Sequence, residues 1–180
     1  MEQTVQRSLR YILLVLCVLV IPGLAHAQEG VASDPLSRFE RVIGGKWHFE
    51  GGYQTMEWGV GRLSVRARSY FIVDDKPQLV SEGIWFYHPG TRQVRGYFTA
   101  VEMPVQLFDY VMSFDDDQIV GELTSYTANG EQQNYREVWD FADDNHYRWR
   151  LLRDTSEGEQ EYMVTDYVRR FGEKKNALST

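Results

Sequence analysis

The sequence predicts an all-β protein: an antiparallel up-and-down β-barrel of about ten strands, preceded by a short N-terminal helix. Apolar and polar residues alternate with a period of two from residue 47 onward, the pattern of strands with one buried face. The segments between these runs are short, and none is long enough for a crossover helix. A meander of so many strands removes its exposed edges by closing into a barrel. A two-sheet sandwich is the alternative architecture.

The first 27 residues have the organisation of a secretory signal peptide. Arg7 and Arg10 form a positive segment, and an apolar run follows at 11–24. Residues 25–27 (AHA) form an A-x-A cleavage site. The apolar run of about 14 residues is shorter than the roughly 20 that a membrane-spanning helix needs, so we expect cleavage rather than an anchor. The sequence therefore predicts a periplasmic or secreted protein.

Cysteine content and charge narrow the function classes. Cys17 is the only cysteine and lies in the predicted signal, so the mature chain has no thiol for a disulfide, a metal site or a nucleophile. The full chain carries a net charge of −7, and removing the signal, with its two Arg and one Glu, leaves −8. This acidic balance argues against nucleic acid and anionic membranes as partners. No later apolar segment is long enough to span a bilayer.

After a flexible lead at 28–34, a short amphipathic helix opens the barrel domain, which we assign to 35–170. Ser33 or Asp34 is placed to cap the helix, and Pro35 suits its first position. The apolar residues at helical spacing are Leu36, Phe39, Val42 and Ile43, and Gly44-Gly45 ends the helix. We expect this helix to plug one open end of the barrel. A mobile lid over a pocket is the alternative use.

The ten predicted strands then follow in order, separated by turn-forming residues. They are assigned to 47–50, 56–60, 63–73, 78–87, 93–100, 105–114, 118–128, 132–141, 146–153 and 160–170. Asn129-Gly130 is the strongest two-residue hairpin signal in the chain. Residues 171–180 form a polar tail.

Four short motifs carry a family resemblance. They are FERVIGGKW at 39–47, MEWG at 56–59, SEGIW at 81–85 and FYHPGT at 86–91. A short helix followed by Gly-x-Trp in the first strand resembles the lipocalin-like domains of the calycin superfamily. Together the motifs resemble exported bacterial members of that group, whose function is unassigned. The resemblance implies a cup-shaped barrel that holds a small apolar molecule.

The same resemblance implies how the barrel is closed. In lipocalins the Trp of Gly-x-Trp closes one end, and an Arg near the end of the last strand lies over its ring. Gly45 and Trp47 match the first part of this arrangement, and Arg169 and Arg170 are placed for the second. Such a cation–π contact contributes roughly 0.5–2 kcal/mol.

The ligand candidates are the tryptophans and two pairs of arginines. All five tryptophans lie in the mature chain, and besides Trp47 they are candidates for lining the lumen; these are Trp58, Trp85, Trp139 and Trp149. They predict either an aromatic-lined cavity or a barrel packed solid. The arginines at i, i+2 spacing are Arg66, Arg68, Arg148 and Arg150. Facing inward they would bind a carboxylate headgroup, and facing outward they would form surface ion pairs.

Other chemistry has weaker support. His146 is the only late histidine that could serve as an axial haem ligand in a barrel. A metal site would draw on His48, Glu50 and Glu57, although alternating polar residues are typical of any solvated strand face. Glu82 and Glu137 lie in aromatic-rich strands and are the candidates for an acid or base. We therefore expect neither a metal nor a cofactor.

The function predicted is that of a non-enzymatic carrier or sensor with a small lipophilic molecule in its lumen. An enzyme on the same barrel, of isomerase or cyclase type, is the first alternative. A buried Glu or His in the lumen with a shifted pKa would favour it. An envelope protein-interaction module with a filled barrel is the second, and an apolar patch on the outer surface would favour that one.

Overall fold

The computed structural model describes residues 34–101, 103–115 and 117–172. The predicted signal peptide with Cys17, the lead up to residue 33 and the tail from residue 173 lie outside the described residues. No helix in the described ranges is long and apolar enough to cross a membrane.

The described chain forms ten antiparallel strands in one closed barrel. Each strand pairs with the next along the sequence, and the last returns to the first. The strands are β1 Lys46–Phe49, β2 Gly52–Trp58, β3 Ser64–Val73, β4 Lys76–His88, β5 Gln93–Ala100, β6 Leu107–Phe114, β7 Gln118–Tyr126, β8 Gln132–Asp143, β9 His146–Thr155 and β10 Gly158–Arg170. The predicted fold class, an all-β up-and-down barrel of about ten strands, is confirmed.

Two hairpins differ from the sequence prediction in their turns. β3 and β4 are joined by Asp74 and Asp75 alone, and both have positive φ angles, 50° and 58°. Two residues with positive φ are the pattern of a tight type I′ turn. The loop around Asn129-Gly130 spans 127–131, longer than the 129–131 that the predicted strands leave between them, and the Thr127 amide donates to the Glu131 carbonyl across it at 2.9 Å.

The predicted helix is present but is a 3-10 helix, Ser37–Val42, which we call the plug helix. Its buried side chains recur every three residues, at Leu36, Phe39 and Val42, and three residues per turn is the 3-10 period. Asp34 caps the turn before it, since its carboxylate accepts a hydrogen bond from the Leu36 amide at 2.9 Å. A second 3-10 helix, Val60–Arg62, joins β2 to β3 and was not predicted.

The plug helix lies against one end of the barrel. The Phe39 ring stacks on Trp85 with centroids 5.2 Å apart and meets Phe114 edge-on at 5.3 Å. Phe39 and Val42 have no exposed surface. These contacts belong to one buried cluster that includes residues from most strands, so the helix completes the core at this end. We call this the closed half of the barrel.

Candidate functional site

The closed half is organised around Trp47. Trp47 has no exposed surface, and its indole N–H donates to the Val42 carbonyl at 2.8 Å. The Arg169 guanidinium lies 4.2 Å from the centre of a Trp47 ring. Trp47 and Arg169 are also directly opposed in the β1–β10 pair that closes the barrel. The plug helix, the first strand and the last strand therefore meet at one indole.

Gly45 and Arg169 are held in tight surroundings there. Gly45 has φ +69°, and a Cβ at that position would lie 3.0 Å from Cγ of Arg169 and 3.1 Å from the Arg170 carbonyl. Burial lowers the pKa of Arg169, and two of its guanidinium nitrogens have no hydrogen-bond partner in the described chain. Arg170 opposes Lys46 and is exposed, so Arg169 is the arginine over Trp47.

A cavity of about 230 Å³ occupies the other half of the barrel, which we call the open half. Its rim includes Met103 and Met163, which are 49% and 47% exposed. Three lining residues have small side chains, Ser69, Ser81 and Ala100, and these leave space in the lumen at this level. The other lining residues are Gln54, Trp85, Phe98, Phe108, Tyr110, Leu123, Glu137, Trp139, Trp149, Leu151 and Tyr167.

Glu137 is the only charged residue among the described residues that line this cavity. It is 3% exposed. The Trp139 indole N–H donates to one of its carboxylate oxygens. The Trp149 and Tyr110 side chains also hydrogen-bond to it. A buried carboxylate is thus held on the wall of an aromatic chamber by three donors from three strands.

Burial and hydrogen bonding act on Glu137 in opposite directions. Burial raises the pKa of the Glu137 carboxyl because it penalises the charged form, and hydrogen bonds from Trp139, Trp149 and Tyr110 oppose that rise. Burial prevails, so the pKa lies above its ordinary value. Burial and then the nearby Glu137 charge raise the pKa of Tyr110 and of Tyr167 as well.

The predicted tryptophans divide between the two halves. Trp85, Trp139 and Trp149 line the cavity, and Trp85 also forms its floor because its ring stacks on Phe39 of the plug helix. Trp58 does not line the cavity. It packs against the core at the closed half, with the Arg62 guanidinium 4.3 Å from its ring centre. The barrel therefore has a buried aromatic and aliphatic cluster next to the plug helix and a cavity in its other half.

The expectation that four arginines line the lumen is wrong. Arg66 and Arg68 alternate with the buried Val65 and Ala67 along β3, so their side chains lie on the outer face. Arg66 lies 2.7 Å from the Glu57 carboxylate, and Arg68 lies 3.2 Å from that of Glu82.

The other arginine pair is arranged in the same way. Arg148 and Arg150 flank the lumenal Trp149 on β9 and lie 3.6 Å and 2.7 Å from Asp166 and Asp140 respectively. An arginine directed into the apolar lumen would lose both its hydration and its carboxylate partner, which explains the outward orientation.

The remaining candidates lie outside the cavity. His146 is exposed, with its Nδ1 2.9 Å from Asp143, and His48 packs its ring 5.8 Å from Tyr53. Burial and then Arg170 lower the pKa of His48. Glu50 is exposed in the β1–β2 turn, and Glu57 and Glu82 are in the outer ion pairs. Within the described ranges, no group of three or more His, Cys, Asp or Glu residues could hold a metal ion.

Several cavity residues were not identified from the sequence. Tyr110 and Tyr167 occupy inward positions of β6 and β10, and Gln54 occupies one of β2. Period-two alternation indicates which face of a strand a residue is on, but not how far along the barrel axis it lies. The pattern alone therefore could not place these residues beside Glu137. No protein-family model matches this chain. A comparison with curated proteins found no match either.

Proposed function

We propose that this protein is an exported, lipocalin-like carrier or sensor that binds one small lipophilic molecule in the open half of its barrel. The observation that supports this most directly is the cavity of about 230 Å³ with its mainly apolar, aromatic-rich lining and one charged group, Glu137. Binding sites for small molecules are concave and mostly apolar, with few polar groups that set orientation. Drug-sized sites span roughly 300–1,000 Å³, so the ligand here would be smaller.

Export and the relation to lipocalin-like proteins belong to the same proposal. Export is supported by the signal-like segment at 1–27, and the relation by the Gly-x-Trp motif at 45–47. The Arg169 contact with Trp47 is compatible with the barrel closure that this resemblance implies.

Filling the cavity tests the binding function. Ala100→Trp would place an indole in the lumen near the rim, whereas Thr99→Trp adds the same group to the neighbouring exposed position. We expect wild type and Thr99→Trp to bind 2-phenylethanol, measured by calorimetry and by fluorescence of the lumenal tryptophans. Ala100→Trp should bind at least tenfold more weakly. Equal affinity in all three proteins would refute the lumenal site.

A barrel enzyme of isomerase or cyclase type is the second candidate, and one observation favours it. Glu137 is a buried carboxyl with a raised pKa and it faces an apolar chamber, which is how acids and bases are poised for proton transfer. A ligand extracted from the native protein should then change structure on incubation with wild type. Glu137→Gln should bind it without converting it. If wild type returns the ligand unchanged, the enzyme candidate fails and the carrier function remains.

The third candidate, a protein-interaction module, has a separate support. Apolar side chains near the β3–β4 turn are 43–48% exposed; they are Phe71, Ile72, Val73 and Leu79. Exposed apolar groups of this kind occur at interaction sites. The hollow half of the barrel, however, is not the filled interior that this candidate was expected to have.

A further inference from the structure

We infer that the ligand is an organic cation: an ammonium group that carries a small apolar substituent, with the ammonium at Glu137. This inference rests on the proposed binding function and specifies its ligand class. Three features of the cavity support it, namely its charge, its aromatic walls and the unused hydrogen-bonding capacity of the Glu137 carboxylate.

When Glu137 is ionised, the cavity carries a negative charge that no described lining residue of opposite charge balances. Glu137 lines it, and no Lys, Arg or His is among its described lining residues. On the neighbouring strand β9, the outward Arg148 and Arg150 have acidic partners of their own, Asp166 at 3.6 Å and Asp140 at 2.7 Å. Arg169 lies over Trp47 in the closed half. A buried carboxylate without a cationic partner favours a ligand that brings the positive charge.

The walls favour the same kind of ligand. Trp85, Trp139 and Tyr110 surround the carboxylate side of the cavity, with Trp85 edge-on to Trp139 at 5.7 Å and to Tyr110 at 6.5 Å. Ring faces carry negative electrostatic potential and attract cations, most strongly when both are desolvated. Electron-rich ring surface on the cavity wall beside the carboxylate can therefore contact an ammonium group bound there.

The carboxylate also has room for one more donor. An ionised carboxylate offers about four acceptor positions, and Trp139, Trp149 and Tyr110 use three. An indole N–H can only donate a hydrogen bond, so Trp139 and Trp149 are best satisfied when the Glu137 carboxylate is ionised and accepts from both. An ammonium N–H would take the remaining position and offset the cost of burying the negative charge. A fatty acid would instead place a second carboxylate beside the first.

The test is a ligand series on one carbon skeleton, measured by calorimetry on the mature protein at neutral pH. The probes are 2-phenylethylammonium, 2-phenylethanol and phenylacetate. We expect wild type to bind the ammonium at least tenfold more tightly than the alcohol and not to bind phenylacetate. Glu137→Gln should lose the preference for the ammonium over the alcohol. Glu82→Gln, which removes an exposed carboxylate from the outer face, should keep that preference.

The outcomes separate this inference from the proposed function. If wild type binds the alcohol or phenylacetate as tightly as the ammonium, the lumenal site stands and the cation inference is overturned. If the ammonium preference survives in Glu137→Gln, the assignment to Glu137 is overturned. If wild type binds none of the three, the proposed function itself fails. The comparison within wild type decides the ligand class even if Glu137→Gln does not fold.

Discussion

The two halves of this barrel are built from similar aromatic residues but differ in what occupies the centre. In the closed half the plug helix inserts Phe39 and Val42, which have no exposed surface, and Trp47 is equally buried. In the open half no described segment enters, and small lining residues leave a cavity of about 230 Å³ beside Glu137. The comparison suggests that one half supplies stability and the other is available for a ligand.

The largest expected effect is on Trp47. Trp47→Ala should lower the free energy of unfolding by roughly 3–5 kcal/mol, because it removes a fully buried indole and its hydrogen bond to Val42. Trp149→Ala is the matched change in the open half, and we expect a smaller loss because Trp149 already borders empty space. Urea unfolding measures both variants. Equal losses would mean that the two halves contribute alike to stability.

The plug helix is the next test. Phe39→Ala should cost about 3 kcal/mol, since the ring contacts both Trp85 and Phe114 and is fully buried. Phe71→Ala makes the same chemical change at a side chain that is 44% exposed, and it should cost under about 1 kcal/mol. Thermal and urea unfolding compare the pair. A near-neutral Phe39→Ala would indicate that the helix is not part of the core.

Glu137 should give the open half a distinct pH dependence. Its pKa is raised in the folded state, so the native protein retains a proton that the unfolded chain releases near pH 4.3. Stability relative to Glu137→Gln should therefore be greatest below that pH and fall as pH rises through the folded-state pKa. The slope should not exceed about 1.4 kcal/mol per pH unit.

Urea unfolding of both proteins between pH 4 and 7 measures this difference. Tyr110 and Tyr167, which face Glu137, have pKa values raised above the ordinary tyrosine value and do not titrate in this range. If the stability of wild type relative to Glu137→Gln rose with pH, burial could not be the dominant effect on the pKa of Glu137.

The smallest effect is expected on the outer face. Arg66→Gln should change the free energy of unfolding by less than about 1 kcal/mol, because its pair with Glu57 is about half exposed on both sides. Ligand affinity should not change. Calorimetry with the same phenylethyl probes checks this. A loss of affinity would show that the outer face affects ligand binding in the cavity.

The sequence predicted the architecture well because period-two alternation and short turns leave few alternatives. It also named Trp85, Trp139, Trp149 and Glu137 as candidates. It listed the arginines as lumen candidates, although the apolar Val65 and Ala67, which alternate with Arg66 and Arg68, indicate which face of β3 is buried. It could not predict the cavity, because empty volume depends on how side chains from nine strands, β2 to β10, fill the lumen at one level. For the same reason, Tyr110 could not be grouped with Glu137 from spacing alone.

The most direct test of the open half as a ligand site is native mass spectrometry of the protein purified from its natural source, followed by solvent extraction. Wild type and Thr99→Trp should each carry one small lipophilic molecule per chain, and Ala100→Trp should carry none. A bare protein mass in wild type, with no uptake of 2-phenylethanol or 2-phenylethylammonium, would contradict the claim that the open half is a ligand site.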